Sequence, residues 1–299
     1  MKHSANVAIP RLCWLLIFAC LFVACSDRKD ESPLEVEMPV RDAPPFRLAA
    51  WNIRIFSDAS RDDAELRAIA QTLIDYDFIA IVELRDEAVL QRTEQSLAER
   101  GRDYDYLISP PVGAKVKERY GFLFDREMVR VLEQGAVYAD PNDVFLRQPY
   151  FASFSVGEFD FTVIAVHIIW GDSVVQRRRE VQELANVYLA VQAENGAEQD
   201  VLLLGDFNVN PDDAEAYRPL LAIPMMTHLF QLPQKSHIRD SSLYDNIFFQ
   251  THYTTEYTGD SGIDRFDETD FGDDDAAASL AVSDHRPVWG TFHTTEDDD

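Results

Sequence analysis

Short stretches such as 46–53 (FRLAAWNI), 78–84 (FIAIVEL), 159–166 (FDFTVIAV) and 201–204 (VLLL) are of strand length and almost wholly apolar. A strand that is apolar on both of its faces must be covered on both sides, which forces a layered architecture. Helical periods separate these runs. Residues 62–74 place Leu66, Ile69, Ala70, Leu73 and Ile74 on one face, 86–100 is amphipathic and stops at Gly101, 173–192 is long, and 212–221 is short. Shorter strand-like runs lie at 120–124, 128–132, 150–156, 244–249 and 287–292, and Gly157-Glu158 reads as a hairpin turn before 159–166. Strand pairs mixed with helices favour an α/β layered sandwich over a purely parallel sheet. No domain boundary falls inside 46–293. Residues 253–278, acidic and without periodicity, read as a long loop or partly disordered insertion.

The chain has 53 acidic and 27 basic residues, a formal net charge of −26. That argues against a tight, stoichiometric nucleic-acid binder with a broad basic face, because counterion release needs clustered Lys and Arg. It does not exclude an enzyme that engages phosphate through a few arginines and bound divalent cations. With 46% hydrophobic residues the chain can build a large core, so a disordered class is excluded.

The N-terminus reads differently from the rest. Lys2 and Arg11 precede 12–24, a stretch without charge that is shorter than the roughly 20 residues a bilayer requires. This is the pattern of an export signal. Phe22-Val23-Ala24-Cys25 followed by SDRKD resembles a bacterial lipoprotein signal, with Phe22 where a Leu is usual. The resemblance implies cleavage after residue 24, lipidation of Cys25 and anchoring at the cell envelope, at the outer membrane or cell surface. An ordinary secretory signal, giving a secreted form, and an uncleaved anchor are the alternatives. All three cysteines (Cys13, Cys20, Cys25) lie here, so the domain that follows has no disulfide. Residues 25–45, rich in proline and charge, read as a tether, 46–293 as the domain, and 294–299 as an acidic tail.

Single polar residues stand where the apolar runs stop: Asn52, Glu83, His167, Asp206 and Asn208, Asp245, and Asp284-His285. Asp and Asn after a strand are commonly turn formers, and a His after an apolar run is commonly structural. A Glu inside an otherwise apolar strand is harder to dismiss, since an unpaired buried carboxylate is expensive. His3, His228, His237, His252 and His293 match no motif and read as surface or structural.

Taken in order, AAWNIRIF, IVELRD, KERYGFLF, AVHIIWG, LLGDFNVNP, YDNIFF and VSDHRPVWGTF resemble the endonuclease/exonuclease/phosphatase superfamily, and within it the deoxyribonuclease I branch. The resemblance is colinear from about Phe46 to Phe292, and GDFN followed by SDHRPV is its most specific part. It implies a four-layer sandwich of two packed mixed β-sheets flanked by helices, and metal-dependent hydrolysis of a phosphodiester. Glu83 and Asp284 would hold a divalent ion, Mg²⁺ or Mn²⁺, with Asn52, Asp206 and Asn208 contacting metal, water or phosphate. His285 would be oriented by Asp245 and His167 by Glu118, one imidazole acting as base and the other as acid.

Substrate choice within the superfamily is not set by this centre. Arg85, Arg147 and Tyr120 fall where the deoxyribonuclease I branch contacts DNA. Val116 replaces a groove-stacking Tyr, and the cysteines of a loop beside a Ca²⁺ site are missing, which leaves Ca²⁺ open although Asp140 and Asp143 are near. The run Arg177-Arg178-Arg179 is a phosphate patch or, more simply, a solvated helix face. The reading preferred here is a monomeric, exported endonuclease of low sequence preference, with DNA as substrate and no obligate protein partner. A phosphoesterase of the same fold acting on a lipid, nucleotide or other small phosphoester, and a non-catalytic surface binding protein, are the competitors.

Overall fold

A computed structural model of the chain describes residues 45–171, 173–194 and 199–295. The segments read above as an export signal and a tether, up to residue 44 and including Cys25, and the tail from residue 296 lie outside the described residues. No helix among the described residues is long and apolar enough to cross a membrane.

The chain opens as a β-α-β unit: β1 (Phe46–Phe56), α1 (Asp63–Leu73) and β2 (Phe78–Leu84), with β1 and β2 parallel neighbours. Asp62 starts α1 through a capping box, accepting from Ala64 N and Glu65 N while Glu65 accepts from Asp62 N. Then follow α2 (Glu87–Ala98), capped by Asp86, β3 (Tyr104–Ile108) and β4 (Arg119–Asp125). The chain next builds a second sheet with β5 (Arg130–Val137), β6 (Tyr150–Val156), β7 (Phe159–His167), α3 (Val174–Glu194), β8 (Val201–Asp206), α4 (Ala214–Leu221), β9 (Met226–His228) and β10 (Asp245–Gln250). It returns to the first sheet through β11 (Tyr257–Ile263), α5 (Phe266–Thr269), α6 (Asp275–Ala281) and β12 (Val288–Phe292). The two six-stranded sheets run β11-β12-β1-β2-β4-β3 and β5-β6-β7-β8-β10-β9. Each is mixed, with one parallel pair at its centre, β1/β2 and β7/β8.

Strand alternation explains why these runs have no polar face. Leu48, Ala50, Phe78, Ala80, Phe161, Val163, Leu202 and Leu204 pack between the sheets. Their neighbours Ala49, Trp51, Ile79 and Ile81 pack against α1 and α2, and Ile164, Val166, Val201 and Leu203 against α3 and α4. The result is the expected four-layer sandwich, in which the central strands are buried on both faces. Phe78 sits at its middle, with ring centroids 4.8 Å from Phe154 and 5.8 Å from Phe161 of the opposite sheet.

Residues 253–278 depart from the sequence expectation of a loop: they contain β11, α5 and the start of α6. Periodicity misses β11 because YTGDSGI is an edge strand with a half-exposed, polar composition. The segment is tied down by a buried ion pair. Arg286, fully buried, donates from Nε and Nη2 to Asp267 at 2.7 and 2.5 Å, and from Nη1 to Asp240 at 2.6 Å. β3 and β9, short strands each at a sheet edge, also escape the pattern.

Two outcomes follow for denaturant unfolding. Phe78→Ala should cost about 3–5 kcal/mol, the range for deleting a fully buried aromatic ring, whereas the exposed Leu132→Ala should stay within about 0.5 kcal/mol. Asp267→Ala should cost about 3–5 kcal/mol, because it leaves the Arg286 guanidinium buried without its bidentate partner.

Candidate active site

Sheet register gathers the polar strand ends. On β8, Asp206 stands opposite His167 of the parallel β7 and opposite Asp245 of the antiparallel β10. Residues in register on adjacent strands share a face, so the three side chains are neighbours by construction. From the other sheet Asn52 reaches across, donating from Nδ2 to Asp206 Oδ2 at 2.9 Å and to Glu83 Oε1 at 3.3 Å.

Glu83 arrives by a local distortion. Alternation from Ile79 and Ile81 would turn it toward the helices. Instead the β1/β2 pairing shifts between Asn52 and Phe56, the β2/β4 pairing shifts between Ile81 and Leu84, and Glu83 takes a φ of +62°. Its carboxylate turns to the cleft and accepts from Ile55 N at 2.9 Å. A left-handed backbone at a non-glycine residue costs about 1–3 kcal/mol and persists only where the surroundings over-determine it. Asn208, at φ +50°, is similarly held: its N–H donates to Asp206 Oδ1 and its Nδ2 to Ile168 O.

Two imidazole–carboxylate pairs flank Asp206. His167 Nδ1 lies 2.8 Å from Glu118 Oε2, and His285 Nδ1 lies 2.8 Å from Asp245 Oδ2. With each Nδ1 engaged, each Nε2 faces the centre, 3.8 and 4.0 Å from Asp206 Oδ2. The Asp284-His285 segment is stitched to β1 by Ser283 Oγ donating to Asn52 O and by Trp51 Nε1 donating to His285 O.

Burial alone would push the Glu118 carboxyl up. The His167 hydrogen bond and charge, then Arg147 and Arg85, outweigh it and bring it down to about 2. Burial pulls the His285 imidazole down, but the Asp245, Asp206 and Asp284 carboxylates outweigh that and push it up to about 10. The cleft is a concentrated negative field.

Asn52, Glu83, Arg85, Glu118, Arg147, His167, Asp206, Asn208, Asp284 and His285 line one cleft of about 440 Å³. Asp245, fully buried, stands behind His285. Arg147 is turned inward onto Glu118, at 2.8 Å from Nε and 3.1 Å from Nη2, and Arg85 lies 3.4 Å from the same carboxylate. Tyr120, expected from the resemblance to contact substrate, is instead 1% exposed and does not line the cleft. The alternation of β4 sends it between the sheets with Phe122 and Phe124, where its hydroxyl accepts from His167 N. Asp140 folds its own loop, accepting from Val144 N and Phe145 N. Arg178 bonds Asp213 and Glu215 and so joins α3 to α4, a structural role.

Sequence reasoning misses four residues. His237 is half-buried at the cleft, its backbone bridged to that of His285 and its ring 5.7 Å from the His285 ring, and burial and then His285 lower its pKa. No motif marks it. Trp170 and Tyr244 also line the cleft, and an aromatic directly past the His167 strand was the available signal. Glu180, buried on α3, accepts from Ile169 N and Leu146 N at 2.8 Å each and so fixes the chain just past His167 and just before Arg147.

The oxygen donors of the cleft fit a hard divalent cation. Asn52 Oδ1 is buried without a hydrogen-bond partner, beside Glu83 and Asp206. Asp206, Asp245 and His285 also offer three ligand atoms within 4.8 Å of one another.

Comparison with known proteins agrees with this geometry. The "Deoxyribonuclease" of Thioalkalivibrio sp. (strain K90mix) is 31% identical over 273 residues, 87% of this chain and 74% of that protein. Deoxyribonuclease-1-like 2 of Mus musculus is 29% identical over 85% of this chain and 94% of its own. The crystal structure of an endonuclease/exonuclease/phosphatase from Bacteroides vulgatus superimposes with a TM-score of 0.60 at 16% identity, covering 84% of this chain and all of that one. The model of the endonuclease/exonuclease/phosphatase family matches residues 49–285, and the chain belongs to that family.

Proposed function

We propose that this protein is a divalent-metal-dependent phosphodiesterase whose substrate is DNA, cut internally with little sequence preference. The observation that carries the reading is the pair of imidazoles aimed from opposite sides at Asp206, beside an all-oxygen donor set. Glu83 and Asp284 would hold Mg²⁺ or Mn²⁺, with Asn52, Asp206 and Asn208 around it. The ion supplies charge neutralisation at phosphorus and stabilisation of the leaving oxygen.

The chain's own residues do the rest. One imidazole Nε2 takes a proton from the attacking water as its oxygen bonds to phosphorus. The other gives a proton to the oxygen released when the opposite P–O bond breaks. Glu118 and Asp245 fix the tautomers and stabilise each imidazolium. Asp206, fixed by hydrogen bonds from Asn52 Nδ2 and Asn208 N, stands within 4.0 Å of both Nε2 atoms. Relatives named as deoxyribonucleases support DNA as substrate, as do Arg85 and Arg147 at the cleft. A second reading, hydrolysis of a smaller or lipid-borne phosphoester, rests on Val116, 58% exposed at the cleft where a stacking ring would favour a polynucleotide. We also propose export and lipid anchoring at Cys25, on the strength of the signal-like N-terminus.

Residues 26–299 with Mg²⁺ should nick supercoiled plasmid, at a rate that falls steeply with salt and is abolished by chelator. His167→Ala should lower the rate by about 10²–10⁴-fold, and Asp206→Ala by at least as much. Intact plasmid alongside hydrolysis of RNA or of a lipid or nucleotide phosphoester would replace the substrate assignment. Cleavage undiminished in both variants would sink the mechanism. In cells, Cys25→Ser should move the full-length protein from the membrane fraction to the soluble one and remove fatty-acid labelling. An unchanged membrane fraction would rule out the lipid anchor.

A further inference from the structure

The cleft does not end at the catalytic residues. A second cavity of about 450 Å³ adjoins it, and Asn208 and Tyr244 line both. At the junction stands Trp170. Its indole is 62% exposed, with its ring centroid 5.9 Å from that of Tyr244 and the Arg177 guanidinium 5.6 Å from the ring. An indole at the rim of a polar cleft presents an aromatic face to whatever the cleft binds. It is not a loose surface residue. Buried Glu180 pins Ile169 N, and Asn208 Nδ2 pins Ile168 O, which fixes the two residues between His167 and Trp170.

The charges indicate what sits there. Arg85 and Arg147 gather on Glu118, the carboxylate that engages His167 Nδ1. The second cavity is acidic, with Asp212, Asp213 and Glu215 against Arg177 and an Arg178 already engaged by Asp213 and Glu215. A further phosphate is therefore disfavoured beyond Trp170, whereas a neutral aromatic ring is not. Stacking on an aromatic side chain suits any nucleobase, since each has a π-face.

We propose that Trp170, backed by Tyr244 and Arg177, is the stacking platform for an unpaired nucleobase next to the scissile phosphodiester. The proposal rests on the phosphodiesterase reading above and names how that site holds its substrate. A base can reach Trp170 only if it leaves the helical stack, so single-stranded or frayed DNA is favoured over an intact duplex.

The test pairs a protein change with a ligand change. Binding of a fluorescein-labelled oligothymidylate and of an abasic oligomer of equal length is followed by anisotropy in chelator at low salt. Trp170→Ala should weaken oligothymidylate about tenfold, Trp170→Phe should restore most of that, and the abasic oligomer should not register either change. Equal losses on both oligomers, or no loss on either, would overturn the platform. Cleavage with Mg²⁺ is scored separately. Base-dependent binding by a protein that cuts no diester would overturn the enzymatic reading and leave the platform standing. Plasmid cleavage without base-dependent binding would do the reverse.

Discussion

Asp206 is a carboxylate 1% exposed, and no Lys or Arg pairs with it among the described residues. A buried charge in that position is costly unless something compensates it. Two donors from the chain, Asn52 Nδ2 and Asn208 N, do part of this. The remainder falls to the imidazoles on either side and, in the proposed function, to a divalent ion. The same negative field that lifts His285 to about 10 would attract a cation, whose charge would lower that value again. The electrostatic problem posed by one carboxylate thus organises the surrounding groups.

The fold meets that requirement through register. His167, Asp206 and Asp245 come from three adjacent strands and align because β7, β8 and β10 pair as they do. A slip of one residue would send any of them to the opposite face. Register is held by the apolar surface that covers those strands on both sides, so the core specifies the site as well as stabilising it. Where alternation alone would fail, at Glu83, the backbone departs from it. The paired shifts in β1/β2 and β2/β4 and the left-handed φ are the means.

The acidity of the chain takes on a narrower meaning in this setting. Arginines near the cleft are engaged by carboxylates: Arg147 and Arg85 by Glu118, Arg178 by Asp213 and Glu215. Such a surface suits transient engagement of phosphate at a few points rather than a broad grip. In the 253–278 segment, part of the negative charge is structural. Asp267, with Asp240, compensates the buried Arg286 next to His285, so an acidic stretch without periodicity turns out to support the residue beside it.

Much was legible before the structure. Two-sided apolar runs fix a covered sheet, because a strand cannot leave such faces in water, and the polar residues that end those runs are the ones the cleft collects. Other features were decided only by tertiary structure. Tyr120 carries a motif position yet faces the core, because the alternation of β4 takes it there. His237 carries no motif yet lies against His285, because a backbone bridge brings together residues 48 apart in sequence. β11 and the Arg286 clamp were invisible for the same reason. Local pattern reports which residues need burial, while contacts between distant segments decide which polar groups meet, and those contacts have no signature in any single stretch of sequence.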